Sequence, residues 1–298
     1  MLILTPQNWN NYELIDCGNF EKLERFGKYV LRRPEPKAIW NKSMSKEEWA
    51  KQTDTTFNTG AGFNQSGKED SGTWIGKNLP EQWVVSYKYK ELNFKLNAAL
   101  TSFKHVGIFP EQAPNWNFIY DSVKQLPTQN QNPKVLNLFA YTGAASLAAK
   151  VAGADVTHLD SVKQVVSWAR RNMELSSMDG LRWVVEDALK FVQRESKRGN
   201  KYDGIILDPP AYGHGTDGEK WKLEHNILEM MNLCKNILKS EDSFLVLNLY
   251  SNGFSAIVAD TLVSSVFGNC REKTFGELVL CDKFGKNLPL SVFSRIKL

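Results

Sequence analysis

Residues 135–146 read VLNLFAYTGAAS, and this stretch frames the rest of the chain. Val135, Leu136, Leu138 and Phe139 supply a short apolar strand. Residues 140–146 then bring small side chains around a single glycine, Gly143, before an alanine-rich helix that runs to Ala152. A strand, a tight turn and a helix in that order leave unpaired backbone N–H groups at the helix start, and small side chains let a ligand approach the main chain. Only one of the three glycines of the dinucleotide fingerprint G-x-G-x-x-G is present, so taken alone the stretch also fits an ordinary α/β core turn.

Two further stretches repeat the pattern of an apolar run stopped by a polar turn: VTHLD at 156–160 and IILDPPAY at 205–212. Asp160, followed by Ser161, ends the second strand, where a carboxylate can accept hydrogen bonds from both hydroxyls of a ribose. Glu186 and Asp187, followed by Ala188, close a third strand at 181–185. These strand ends fall on one edge of a parallel sheet, the edge at which open α/β folds bind ligands. The fourth strand ends in Asp208, Pro209, Pro210, Ala211 and Tyr212. Two prolines fix φ and carry no N–H, so the exit is rigid and extended, with its carbonyls expected free. A carboxylate, free acceptors and an aromatic face suit a planar substrate whose amino or ring nitrogen must be held still. A stiff turn is the bland alternative, and the position after Gly143, Asp160 and Asp187 weighs against it.

From Val135 to about Gly253 the chain resembles a class I S-adenosylmethionine-dependent methyltransferase. VLNLFAYTG and DPPAY are similar to the N-L-F-x-Y-T-G and D-P-P-x-F motifs of the large-ribosomal-subunit rRNA methyltransferases of the I and K type. Upstream, KHVGIFPEQ at 104–112 resembles that family's segment before the cofactor fold. The resemblance covers roughly the carboxy-terminal two thirds of the chain. It implies a Rossmann-like α/β fold: a mostly parallel seven-stranded sheet with helices on both faces and an antiparallel carboxy-terminal hairpin. It also implies S-adenosyl-L-methionine as cofactor, held by Phe139, Ala140, Tyr141, Thr142, Gly143, Asp160, Ser161, Glu186, Asp187, Ala188 and Gln112. Asp208, Pro209, Pro210 and Tyr212 would serve the acceptor. The family's cytosine-C5 members carry a cysteine at the end of the fifth strand, whereas residues 246–253 here read VLNLYSNG. Carbon 5 of cytosine is not nucleophilic until a thiolate adds to the ring, so this departure leaves nitrogen or oxygen acceptors.

At 298 residues and 42% hydrophobic content, the chain is long enough for one large α/β domain and a smaller one. The 37 basic and 33 acidic residues give a net charge of +4, which permits nucleic-acid binding without arguing for it. Cys17, Cys234, Cys270 and Cys281 lie far apart, and only four histidines are present, so neither a metal site nor a disulfide framework is expected. Reduced thiols point to a cytoplasmic protein. No signal peptide or membrane-spanning stretch is expected, and the oligomeric state is left open.

Residues 1–100 are expected to form a β-rich amino-terminal domain, 101–133 a connecting segment with a helix at 113–126, and 134–298 the cofactor-binding domain. The first region holds Trp9, Trp40, Trp49, Trp74 and Trp83, with alternating apolar residues at 83–87 and 92–96. Its tryptophans read first as a core, while the basic residues near Arg32 and Arg33 leave room for a nucleic-acid platform that recognises substrate. Residues 53–76 read as a long loop or irregular hairpin, and 127–133 as a boundary spacer. Glu111 and Gln112 fit equally a cover for the methionine end of the cofactor and a plain helix start. His158 reads as a core histidine; His214, in the glycine-containing loop after the two prolines, is a candidate proton acceptor, and Trp221 a candidate stacking ring.

The leading expectation is a methyltransferase acting on RNA, ribosomal RNA first, at a nitrogen. A methyltransferase of a small molecule or protein side chain competes with it, as does a cofactor-binding assembly factor without catalysis. The intact Asp208-Pro209-Pro210 argues against the last.

Overall fold

The computed structural model describes residues 1–59, 71–127, 132–216, 218–250, 253–268 and 270–298. Much of the stretch 53–76, most of the spacer 127–133, one position of the 213–218 loop, and Ser251 and Asn252 lie outside the described residues.

The amino-terminal part runs β1 (Leu2–Leu4), β2 (Tyr12–Gly18), β3 (Glu21–Phe26), β4 (Tyr29–Pro34), α1 (Lys46–Gln52), β5 (Thr55–Thr59), β6 (Gly72–Gly76), β7 (Gln82–Tyr89) and β8 (Leu92–Ala99). A 3₁₀ turn, Pro110–Gln112, leads into α2 (Ala113–Gln125). Strands and helices then alternate: β9 (Lys134–Leu138), α3 (Ala144–Val151), β10 (Asp155–Asp160), α4 (Lys163–Leu175), β11 (Arg182–Val185), α5 (Ala188–Lys197) and β12 (Gly204–Leu207). A small hairpin, β13 (Tyr212–His214) and β14 (Lys220–Lys222), interrupts the alternation before α6 (Leu223–Ile237), β15 (Phe244–Leu249), α7 (Ala256–Phe267), β16 (Glu272–Cys281) and β17 (Asn287–Lys297).

The large sheet has the order β1-β16-β17-β15-β12-β9-β10-β11. Strands β9, β10, β11, β12 and β15 are parallel, and β17 runs antiparallel to β15 and β16, which is the expected closing hairpin. The sheet has eight strands instead of the expected seven, because Leu2–Leu4 pairs in parallel with β16. The first residues of the chain therefore belong to this sheet and not to the amino-terminal one; three apolar residues carry no periodicity from which that pairing could be read.

Alternate residues of the central strands face opposite sides. Val135, Ile206 and Val246 pack with Leu147 and Trp116 in one apolar cluster, while Leu136, Ile205 and Leu245 pack with Phe191 and Met230 in another. Helices thus cover both faces, and β12 and β15 are buried along their whole length, as central parallel strands require. From β9 the chain builds outward through β10 and β11, then returns to add β12 on the other side. The resulting switch point places the end of β9 beside the end of β12, with Leu138 opposite Leu207.

Amino-terminal strands β2 to β6 form a five-stranded sheet, and β7 and β8 a hairpin. Trp9 and Trp83 are buried in one core, against which Trp40 and Trp74 pack half-buried, and Trp49 is buried in a smaller cluster with Ile15 and Leu23, so the tryptophans are core residues rather than a stacking platform. Arg33 is buried in an ion pair with Glu24, and Arg32 pairs with Glu21. The core is continuous with the large sheet: Trp9 meets Trp116 of α2 edge-on, and the Trp168 indole of α4 donates to Asn97 O at 2.8 Å. Among the described residues no helix is long and apolar enough to cross a membrane.

Candidate active site

The turn after β9 is strained and held. Phe139 and Tyr141 have φ of 55° and 48°, and Gly143 has φ of 89°. A Cβ at position 143 would come within 3.0 Å of the Ala169 Cβ, so both backbone and packing call for glycine where α3 begins. Three contacts fix the turn: Ala140 N donates to Leu159 O (3.0 Å), Tyr141 N to Asp160 Oδ2 (2.9 Å) and Thr142 Oγ1 to Gly107 O (2.7 Å). Beneath it Asn137 Nδ2 donates to Ser146 Oγ, which contacts His158 Nδ1 at 3.0 Å. Burial drives the His158 pKa down to about 3, so the ring is neutral, as a core histidine should be.

A cavity opens on this turn. It is lined by Phe139, Ala140, Tyr141, Thr142, Gly143, Gln112, Asn115, Asp208 and Asn248, with Phe109 at one side. Six of the expected site residues at the first strand end and before α2, together with Asp208, are thereby brought together. Asp160 stands directly behind, accepting from Tyr141 N and from Val162 N (3.0 Å), one bond to each oxygen. Burial raises its pKa and these backbone donors oppose the rise; each oxygen keeps a second lone pair for a further donor.

The remaining expected residues lie along the next strand ends, outside that cavity. Ser161 Oγ donates to His214 O at 3.1 Å. Asp187 caps α5 by accepting from Lys190 N (2.9 Å), and Ala188 is the buried first residue of that helix. Glu186 is held in a two-pronged ion pair with Arg194. The β13–β14 hairpin folds over this edge so closely that a Cβ on Gly215 would fall 2.9 Å from Asp187 Oδ2.

The proline exit differs from expectation in one respect. The Pro210 carbonyl is not free but accepts from Trp221 Nε1 at 2.7 Å, and Trp221, only 6% exposed, packs on Phe139 at 4.9 Å. Trp221 is thus a wedge joining the proline exit to the first turn, not an exposed stacking ring. Tyr212, by contrast, is 67% exposed.

Asp208 accepts from Asn248 Nδ2 at 2.7 Å. Burial pushes its pKa up to about 7; the Asn248 donor pulls the other way, and the neighbouring Glu111 adds to the rise. On the far side of Phe109 lies a groove of about 580 Å³ between the amino-terminal part and the large sheet, lined by Arg33, Lys37, Lys104, Glu111, Tyr212 and Tyr250 among others. Phe109 lines both spaces and packs against Tyr141 and Tyr250 at 5.4 and 5.3 Å. Tyr250 donates to Glu111 Oε1 at 2.6 Å and accepts from Gln112 Nε2 at 3.2 Å. Glu111 and Gln112 do form a helical start, and they also face these two spaces, so the alternatives posed for them are compatible.

Asn248, Asn115 and Tyr250 were not singled out from the sequence. One signal was present: VLNL occurs at both 135–138 and 246–249, placing an asparagine inside each of two otherwise apolar strands. A polar residue buried in a central strand needs a partner, and the Asn248 partner is Asp208.

The fold and the site together define a class I Rossmann-like methyltransferase, with a cavity at the switch point of the sheet. The donor set fits S-adenosylmethionine. Asn248 Oδ1 is buried without a partner on the cavity wall, where an ammonium group would satisfy it, and Asp160 has lone pairs for ribose hydroxyls. Among the described residues no cluster of His, Cys, Asp or Glu could hold a metal. A family model described as Conserved hypothetical protein 95 matches residues 118–248. The S-adenosylmethionine-dependent methyltransferase of Agrobacterium tumefaciens is 36% identical, with a TM-score of 0.89 over 100% of this chain and 93% of that one. A putative methyltransferase from Streptococcus mutans shares the fold at 18% identity and a TM-score of 0.70, over 97% of this chain and 76% of that one. The ribosomal RNA large subunit methyltransferase K/L of Shewanella frigidimarina is 30% identical over 169 residues, 55% of this chain and 22% of that protein. The chain spans about a fifth of the length of the curated relatives it matches. It belongs to the S-adenosylmethionine-dependent methyltransferases.

Proposed function

We propose that this enzyme methylates a nitrogen of an RNA base, in ribosomal RNA first of all. The observation that carries the reading is Asp208, a carboxyl with its pKa raised to about 7, fixed by Asn248 at the wall of the cofactor cavity. When bound, S-adenosylmethionine supplies an already activated methyl group, so the protein has to position the acceptor and exclude water. Asp160 would hold the ribose, the 139–143 turn would present its backbone, and Gln112 would face the methionine end. Asp208 accepts an N–H of the base, turns the nitrogen lone pair toward the methyl and takes up the proton lost on transfer. Tyr212, at the rigid proline exit, offers a ring for the base to stack on.

A carbon acceptor fits less well. Cys234 is buried on α6 with its thiol pushed up to about 12, the opposite of an activated nucleophile. The name of the K/L relatives supports ribosomal RNA as the substrate, and that substrate together with free thiols supports a cytoplasmic setting. The test is to incubate the enzyme with unmodified ribosomal RNA and S-adenosylmethionine, digest the RNA to nucleosides and identify the product by mass spectrometry. An N-methylated nucleoside is expected; 5-methylcytidine as the product would refute the nitrogen assignment.

A further inference from the structure

Arg295, on β17, is 6% exposed and lies between the rings of Phe118 and Phe293, 5.0 and 4.2 Å from their centroids. Among the described residues no carboxylate pairs with it, and its Nη2 is buried without a partner. Burial lowers its pKa to about 9, which still leaves it a cation at neutral pH. An unpaired buried cation is costly, so the hydrogen bond it does make is informative. Arg295 Nε donates to Asn115 Oδ1 at 2.8 Å.

That contact begins a chain. Asn115 Nδ2 donates to Gln112 Oε1 at 2.6 Å, Gln112 Nε2 donates to Tyr250 Oη at 3.2 Å, and Tyr250 donates to Glu111 Oε1 at 2.6 Å. A guanidinium can only donate. With that end set, Asn115 must turn its oxygen to Arg295 and its NH₂ to Gln112, and Gln112 its NH₂ to Tyr250, so the orientations of both amides are fixed. Each amide oxygen is consumed by the chain, while each NH₂ has a second hydrogen not committed to it. Gln112 and Asn115 both line the cofactor cavity, so on that wall the chain presents donors backed by a buried positive charge.

The strand-end residues lining the same cavity have the reverse character, with the unpartnered Asn248 Oδ1 and the Asp208 carboxyl. Asp160 sits on the β10 side of the turn, and Asp208 on the β12 side. With Asp208 turned to the acceptor, Gln112 and Asn115 would be left to hold the methionine end of the cofactor. We propose that the Arg295 relay makes the Gln112–Asn115 wall the receptor for the α-carboxylate of S-adenosylmethionine, with Arg295 as a positioning residue. This rests on the cofactor-site reading given above.

Calorimetric titration of the intact chain with S-adenosylhomocysteine and with its decarboxylated form, S-adenosyl-3-thiopropylamine, reads the effect. The wild type should prefer the carboxylate-bearing ligand by roughly tenfold or more, as charge-assisted hydrogen bonds imply. Arg295→Met should weaken S-adenosylhomocysteine about tenfold and leave the decarboxylated ligand unchanged. Arg295→Lys, which can still donate to Asn115, should recover part of the preference. Equal weakening of both ligands would make Arg295 merely structural and overturn the proposal, and so would an unaltered preference. Should Arg295→Met fail to fold, Asn115→Asp keeps the acceptor for Arg295 and removes the donor to Gln112; it must erase the preference, and an intact preference overturns the relay. Asp160→Ala is the control for the underlying reading and should weaken both ligands together. If it weakens neither, the cofactor-site reading fails and takes the proposal with it, whatever Arg295 does.

Discussion

Replacing Asp208 by asparagine should move stability and catalysis in opposite directions. The side chain is held half-buried beside Asn248, and its pKa rises from the ordinary 3.8 to about 7. The folded protein therefore keeps this proton up to about pH 7, while the unfolded chain releases it near pH 4. Stability falls as pH climbs through that window and stays lower above it. At about 1.36 kcal/mol per pH unit the displacement amounts to ~4 kcal/mol, and partial solvation at the cavity mouth brings the expected effect to the order of 2–4 kcal/mol. The substituted amide would retain an oxygen to accept from Asn248 Nδ2 without a charge to desolvate. Urea denaturation should thus find Asp208→Asn more stable than wild type at pH 8, with the difference gone near pH 4. Single-turnover methylation should show the opposite, a loss of about 10²-fold at pH 8 with little change in cofactor affinity. The wild-type rate should rise with pH through about 7, the pKa of Asp208, and then level off. A variant that is less stable at pH 8, or that keeps full turnover, would refute the role given to this carboxylate and send the search to the 213–218 loop.

Other outcomes follow from the same geometry. Asp160→Ala should weaken S-adenosylhomocysteine binding by roughly 1.5–3 kcal/mol in calorimetry, with circular dichroism confirming that the Tyr141 turn it anchors has survived. A variant with Cys17, Cys234, Cys270 and Cys281 replaced by alanine or serine should methylate normally once folded; a covalent complex trapped on a 5-fluorocytosine substrate would contradict that. Tyr212→Ala should raise the acceptor Kd by about 1–3 kcal/mol in free energy without altering cofactor binding, and an unchanged acceptor Kd would remove Tyr212 from the site.

Local pattern gave the parallel sheet and its helices because those elements announce themselves over a few residues, as β1 and the β13–β14 hairpin do not. The runs ending at Phe139, Asp160 and Asp208 are short, apolar and stopped by turn chemistry, and their alternation with helical stretches is that of a parallel sheet. What the pattern could not carry are contacts between residues far apart in the chain. Tyr250 and Glu111 are 139 positions apart, and Arg295 and Asn115 are 180 apart. Nothing local in the sequence marks Arg295 as buried, since it is packing against Phe118 and Phe293 that makes it so. Trp221 illustrates the converse: beside a glycine-containing loop it read as a free ring, yet the hairpin turns it inward onto Pro210 and Phe139. The role expected of Glu186 likewise meets an Arg194 eight residues on, which one helical register brings back to the strand end.

The central claim is methyl transfer from S-adenosylmethionine to RNA, and one labelling experiment tests it most directly. Purified enzyme and tritiated S-adenosylmethionine are incubated with the RNA, protein and metabolite fractions of cells lacking this protein, where its natural acceptor remains unmethylated. The label is expected in ribosomal RNA, and to be lost from it with Asp208→Asn. Label accumulating in the protein or metabolite fraction, with ribosomal RNA left unlabelled, would contradict the account.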